Sequence, residues 1–143
     1  MNSGNIQADA TLSVQKQLEA YNARDIDAFM AWWADDCQYY EFPSRLLANG
    51  AAEIRERHVA RFKEPNLFGA LINRIAVANV IVDHETVTRT FPDGPGEIDV
   101  IAIYEIENGK IAKAWFKLGS PRLHGAPAGP SLQTCTSSAL GSA

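Results

Sequence analysis

The order of periodicities along residues 14–117 constrains this chain more than any other feature in it. Val14, Leu18 and Tyr21 recur at i, i+4 and i+7, the apolar stripe of a first helix. Asp25 is placed to cap a second, in which Ile26, Phe29, Met30 and Trp33 repeat that spacing. Residues 37–42 are aromatic-rich and stop at Pro43, as a strand does. Asn49-Gly50 reads as a turn, and Ile54, His58, Arg61 and Phe62 then share one face of a third helix that Pro65-Asn66 ends. From there on the pattern is all strand. Residues 71–82 form one long bent strand or two, broken at Ala78-Asn79, and residues 80–91 continue the sheet. Residues 92–96 are a hairpin signal, residues 98–106 return, Asn108-Gly109 is a favoured turn pair, and residues 111–118 close the sheet. Helices gathered ahead of antiparallel strands imply an α+β fold: three N-terminal helices packed on a curved, mostly antiparallel sheet, a cone around an interior pocket.

A chain of 143 residues suffices for one domain with a real core. Its 46% hydrophobic and 21% charged residues place it in the globular class. A net charge of −4 argues against a nucleic-acid partner, which wants a basic face. No apolar run approaches the roughly 20 residues that span a bilayer. The first residues lack the basic start and apolar core of a secretion signal. Cys37 and Cys135 stand far apart without CxxC or Cys/His spacing, so neither a disulfide nor a zinc site is expected. These features predict a cytoplasmic protein with no metal and no cofactor. Residues 1–10 read as a flexible N-terminus, 11–119 as the folded domain, and 120–143 as a mobile tail rich in Gly, Pro, Ser and Ala. The alternative for the tail is that Leu132 or Leu140 docks on a partner subunit. Within 98–106 both faces are apolar, with Ile98, Val100 and Ala102 on one and Ile101 and Ile103 on the other. The helices can cover only one face, so a homodimer through the outer face of the sheet is expected.

With YNARDIDAF, Ala34-Asp35-Asp36, NGAAEIRE and IYEIENGKI, the chain resembles the nuclear transport factor 2-like superfamily, and within it the SnoaL-like and ketosteroid-isomerase-like proteins. The resemblance covers residues 11–119 and implies the cone fold, which hosts isomerases, dehydratases, cyclases, epoxide hydrolases and plain binders. The ketosteroid isomerases set an aspartate base opposite a tyrosine donor and a protonated aspartate. Laid on this chain without gaps, that pattern puts the base at Glu41, the tyrosine at Gln17 and the second donor at Ala102. Registering the strand on its proline instead gives Phe42 the base position and turns Glu41 to the other face. With both donors replaced, the resemblance does not extend to steroid isomerisation. The arginine and two aspartates of the limonene-epoxide-hydrolase branch fall near Glu85, Val87 and Phe116, one acid and two apolar residues, which argues against that chemistry too.

Three carboxylates are the catalytic candidates. Glu41, among Tyr39, Tyr40 and Phe42, is either a desolvated base or a rim residue paired with Arg45. Asp83 and Glu85 share one side of a strand, with His84 on the other. The family register points the two acids inward, beside Arg74, where they either serve a ligand or fix the strands. His58 and His84 are lone histidines that could shuttle a proton or simply sit satisfied. Tyr21 lies one helical turn beyond Gln17 and can replace the lost hydroxyl. Gln17, Tyr21, Tyr39, His58, Arg74, Ala102 and Phe116 are the ligand-binding candidates, whereas Trp115, alternating away from Phe116, fits the subunit interface. Together these residues predict a cofactor-independent isomerase, lyase or cyclase acting on a small hydrophobic or amphipathic molecule by general acid–base chemistry. The alternative is a non-catalytic carrier of a small apolar ligand.

Overall fold

The computed structural model describes residues 3–125, with side chains from residue 6 onward. In chain order it contains α1 (Ser3–Ala23), α2 (Ile26–Met30), β1 (Trp33–Glu41), β2 (Arg45–Asn49), α3 (Ala51–Arg61), β3 (Phe68–Val77), β4 (Val80–Phe91), β5 (Gly94–Glu107), β6 (Lys110–Leu118) and β7 (Arg122–Leu123). The strands form one sheet in the order β2-β1-β6-β5-β4-β3, with β7 beside β5. Every pairing is antiparallel except that of β1 with β6. This is the expected α+β cone.

Local chemistry sets the turns. Arg24 takes a left-handed φ of 54° and ends α1, and the Asp25 side chain then accepts the Ala28 N–H at 3.1 Å to cap α2. Gly50, at φ 94°, turns the chain from β2 into α3, a conformation that a side chain would strain. Asn108 and Gly109, at φ 54° and 76°, make the β5–β6 turn in the mirror-image form that matches strand twist.

α1 buries Val14 and Leu18, and polar bonds fix where it lies. Ser13 Oγ donates to Gly109 O at 2.7 Å, at the β5–β6 turn. The Asn22 amide brackets the Gly69 backbone, donating to its carbonyl at 2.9 Å and accepting its N–H at 2.7 Å. The inner face of β5 is closed, with Ile98, Val100 and Ala102 buried. The outer face is not. Register partners Ile75, Val82, Ile103, Trp115 and Tyr40 form one apolar row across β3, β4, β5, β6 and β1. Trp115 and Tyr40 stack there at 5.6 Å between ring centres.

Several sequence expectations need correction. α1 begins at Ser3, so residues 3–10, expected to be flexible, are helical. Trp33 opens β1 instead of extending α2: it pairs with Ile111, whose N–H bonds Trp32 O at 2.8 Å, and this tertiary pairing overrides the helical spacing. β2 went unread because it is a short edge strand without alternation. Of the two readings of residues 71–82, the second holds: the chain breaks at Ala78-Asn79 and reverses there between antiparallel β3 and β4. β7 pairs with β5, so residues 122 and 123 of the expected tail belong to the sheet. The rest of that tail, with Leu132, Cys135 and Leu140, lies outside the described residues. Among the described residues no helix is long and apolar enough to cross a membrane.

Candidate functional site

Between the helices and the inner face of the sheet lies a cavity of about 40 Å³. At roughly 10–15 Å³ per water position it has room for about three waters. That is far below the roughly 300 Å³ at which pockets for drug-sized ligands begin, so a larger guest must displace aromatic rings. Phe29, Trp33, Tyr39 and Phe116, with Leu18, Val87 and Val100, supply the apolar wall. Polar groups come from Gln17 and Tyr21 of α1, Trp33 and Tyr39 of β1, His58 of α3, Glu85 of β4 and Tyr104 of β5.

Glu85 is the unusual one. Its side chain is buried, and Oε2 has no hydrogen-bond partner. Burial, then the neighbouring Asp83 charge, push its carboxyl up to about 7, against a weaker downward pull from Arg74. A Cβ on Gly69 would meet Glu85 Oε1 at 3.3 Å and Leu18 Cδ1 at 3.4 Å, so the glycine leaves room for this carboxylate. Across the cavity, Gln17 Nε2 donates to the Tyr104 hydroxyl oxygen at 3.3 Å. Burial, first, and the Glu85 and Asp83 charges hold Tyr104 well above an ordinary phenol, so it remains a proton donor. Trp33 Nε1–H is also buried without an acceptor. Glu85 and Trp33 both line the cavity, and their orphaned polar atoms are what a polar guest or water would satisfy.

The His58 ring lies tilted at 38° to Phe29, 4.6 Å between ring centres, with Nδ1 2.9 Å from Ile54 O. A carbonyl can only accept, so Nδ1 carries the proton and Nε2 is the acceptor of the neutral ring. Burial holds the imidazole down at about 4 despite the Ile54 bond, with Arg57 and Arg61 adding to the depression.

The candidates therefore separate. Glu85, Gln17, Tyr21, Tyr39, His58 and Phe116 come together around the cavity. Glu41 does not line it. Alternation keeps Glu41 on the Tyr39 side of β1, but at the strand end, where its side chain is 41% exposed and held by Arg45 at 3.0 Å. The rim alternative is the one the structure supports, and the base assignment to Glu41 is corrected. Asp83 is fully buried but spent: Arg74 clamps it with bonds of 2.6 and 2.9 Å, while Gln15 takes a third Arg74 bond at 2.9 Å. Arg74 itself borders an open groove along α1, not the cavity. Ala102 is buried directly opposite Asp83 in the β4–β5 register and does not line the cavity. His84 is on the outer side of β4, paired with Ile101. Tyr104 was missed, although it sits two residues beyond Ala102 on the same face, where alternation could have found it. Among the described residues, no three histidine, cysteine or acidic side chains are grouped to hold a metal ion.

Residues 14–114 match the model of a protein family described as a SnoaL-like domain. No curated protein sequence matches the chain. Among solved structures it is similar to an uncharacterized cystatin-fold protein from Novosphingobium aromaticivorans, with 22% identity, a TM-score of 0.68, and 75% of this chain and 96% of that one covered. An LEH-like epoxide hydrolase from M. tuberculosis matches with 15% identity, a TM-score of 0.68, and 79% and 84% covered. A SnoaL-like protein of unknown function from Burkholderia thailandensis matches with 18% identity, a TM-score of 0.65, and 80% and 97% covered. Identities this low show a shared fold. Glu85, Val87 and Phe116, where the resemblance put the epoxide hydrolase's charged residues, do all line the cavity, but only one is charged.

Proposed function

The chain belongs to the SnoaL-like domain family, and we propose that it is a cofactor-independent isomerase, lyase or cyclase whose general base is Glu85. The observation that carries this reading is the buried Glu85 carboxyl, with Oε2 unpartnered, on a largely apolar cavity wall. With its carboxyl titrating at about 7, roughly half of it is ionised at neutral pH, the condition in which one group can both take and return a proton. The ionised Glu85 removes a proton from carbon beside a substrate carbonyl, and the C–H electron pair moves onto the carbonyl oxygen. Tyr104 donates to that oxygen. The Gln17 N–H occupies the phenol oxygen from behind, which leaves the hydroxyl hydrogen for the substrate. Returning the proton to another carbon completes an isomerisation; departure of a leaving group completes an elimination. Tyr104 thus provides from β5 the hydroxyl that the resemblance put at position 17.

A carrier could hold the same apolar guest with glutamine or leucine at position 85 and avoid desolvating an acid. The enzyme reading makes a measurable demand. Carbon-13 titration of the Glu85 carboxyl is expected to give a midpoint near 7. A midpoint in the ordinary glutamate range, roughly 4.3, would remove the base from the mechanism.

The protein works as a homodimer through the outer face of the sheet. What supports this is the apolar row through Ile103 and Trp115, continued by Ile75 and Val77, which are 59% and 76% exposed. Light scattering of the wild type is expected to return twice the chain mass at micromolar concentration, and Ile103→Glu the single mass. A monomeric wild type would end the proposal.

A further inference from the structure

His58 lines the cavity with one ring nitrogen committed and the other open. Nδ1 donates to Ile54 O, one turn back along α3, at 2.9 Å, which leaves Nε2 a lone pair and no hydrogen. Among the described residues no donor meets that lone pair. The ring is 2% exposed and set among aromatics, with centres 4.6 Å from Phe29, 5.7 Å from Tyr39, 5.9 Å from Phe62 and 6.3 Å from Tyr21. Phenylalanine suits such surroundings, whereas a buried acceptor without a donor costs free energy. Nε2 does not escape that cost by taking up a proton. Burial keeps the ring neutral against the pull of the Ile54 bond, and the Arg57 and Arg61 charges add to the effect. The nitrogen therefore accepts a hydrogen bond and does not donate one. An apolar surface joins it to the proton donor of the site: the ring contacts lead from His58 to Tyr39, on to Phe116 at 4.5 Å, and from there to Tyr104 at 6.0 Å.

We infer that His58 Nε2 is the acceptor that selects the ligand, and that the molecule this cavity takes carries an O–H or N–H donor on its apolar body besides the carbonyl that Tyr104 meets. The inference rests on the reading of the cavity as a ligand site and adds a second polar group that the ligand must bear. The donor lies at Nε2 while the apolar body lies along the Tyr39 and Phe116 rings, with its reacting group toward Glu85 and Tyr104. An analogue without the donor strands the lone pair, and that penalty is what discriminates against it.

Phenol and toluene, near-identical in shape and differing in one O–H, test this. At pH 6 phenol keeps its proton and the His58 ring, titrating at about 4, is neutral. With nitrogen-15 in the histidines, phenol is expected to move the His58 Nε2 resonance to higher field, as accepting a hydrogen bond does, and toluene to leave it in place. The Trp33 indole N–H signal, from the same cavity, reports occupancy by either ligand. In His58→Phe the ratio of phenol to toluene affinity should fall about tenfold, a difference of about 1.4 kcal/mol. The nitrogen-15 measurement is made on the wild type, so it decides the matter even where that variant fails to fold. Phenol that moves the Trp33 signal without moving His58 Nε2, or a ratio unchanged in folded His58→Phe, overturns the acceptor role and leaves the Glu85 mechanism standing. A Trp33 signal that neither ligand moves overturns both.

Discussion

Glu85→Gln is expected to cut turnover by about 10² to 10⁴, the usual contribution of a positioned base, and to make the fold more stable at pH 8. The sign follows from linkage. The Glu85 carboxyl titrates at about 7 in the folded chain and at 4.5 when unperturbed. A raised folded value means that the native state holds its proton longer, so the stability Glu85 contributes is complete below pH 4.5 and lost as pH rises through 7. At about 1.4 kcal/mol per unit, the wild type loses on the order of 3 kcal/mol across that window, and the glutamine variant loses none of it. His58 works in the opposite direction. Its folded value of about 4 lies below the unperturbed 6.5, so its contribution is complete above pH 6.5 and falls away as pH drops through 4. Between pH 4.5 and 6.5 the two trends oppose, and wild-type stability is expected to be nearly flat. Urea unfolding at half-unit pH steps should therefore show Glu85→Gln climbing with pH across this window and staying high at pH 8. If variant and wild type run parallel from pH 4 to 8, the buried-acid account of Glu85 is wrong.

How much of this was legible in the sequence depended on whether a property was local. The order of helices and strands was, because side-chain period and turn residues are read within a few positions. That Asp83 and Glu85 share one side of their strand was too, since alternation settles it, whereas only the family resemblance pointed that side inward. What separates those two acids was not: Arg74 meets Asp83 because β3 and β4 pair in the register Arg74–Asp83, and no single-strand pattern contains that register. Glu41 failed for a related reason. Alternation gives direction, not depth, and the end of β1 is shallow enough for Arg45 to reach its carboxylate. Trp33 kept helical spacing but joined the sheet, because its partner Ile111 lies 78 positions further along the chain. The Gln17–Tyr104 bond joins α1 to β5 over 87 positions and could not be read from either end.

Arg74→Met is expected to be among the most damaging single substitutions in this fold, destabilising it by about 3 to 5 kcal/mol. Asp83 has no exposed surface, and Arg74 supplies both of its short bonds, so the substitution leaves a buried carboxylate without its counter-charge. The loss is a penalty for stranding a charge, not the net worth of the pair, and that distinction is testable. Removing both partners, in Arg74→Met with Asp83→Leu, should recover most of the stability, because an apolar pair of similar volume replaces an ion pair whose attraction only offsets its desolvation. The pair also touches the chemistry. Asp83 raises the Glu85 carboxyl and Arg74 lowers it, so with both gone the larger Asp83 effect disappears and the Glu85 midpoint should move down from about 7. Burial, the first cause of the shift, keeps it above the ordinary glutamate range. Urea unfolding of the single and double variants, with carbon-13 titration of Glu85 in the double, measures both effects on the same proteins. A double variant as unstable as Arg74→Met would mean that the pair is bound into packing that leucine and methionine cannot replace, and an unmoved Glu85 midpoint would leave burial as the sole cause of its shift.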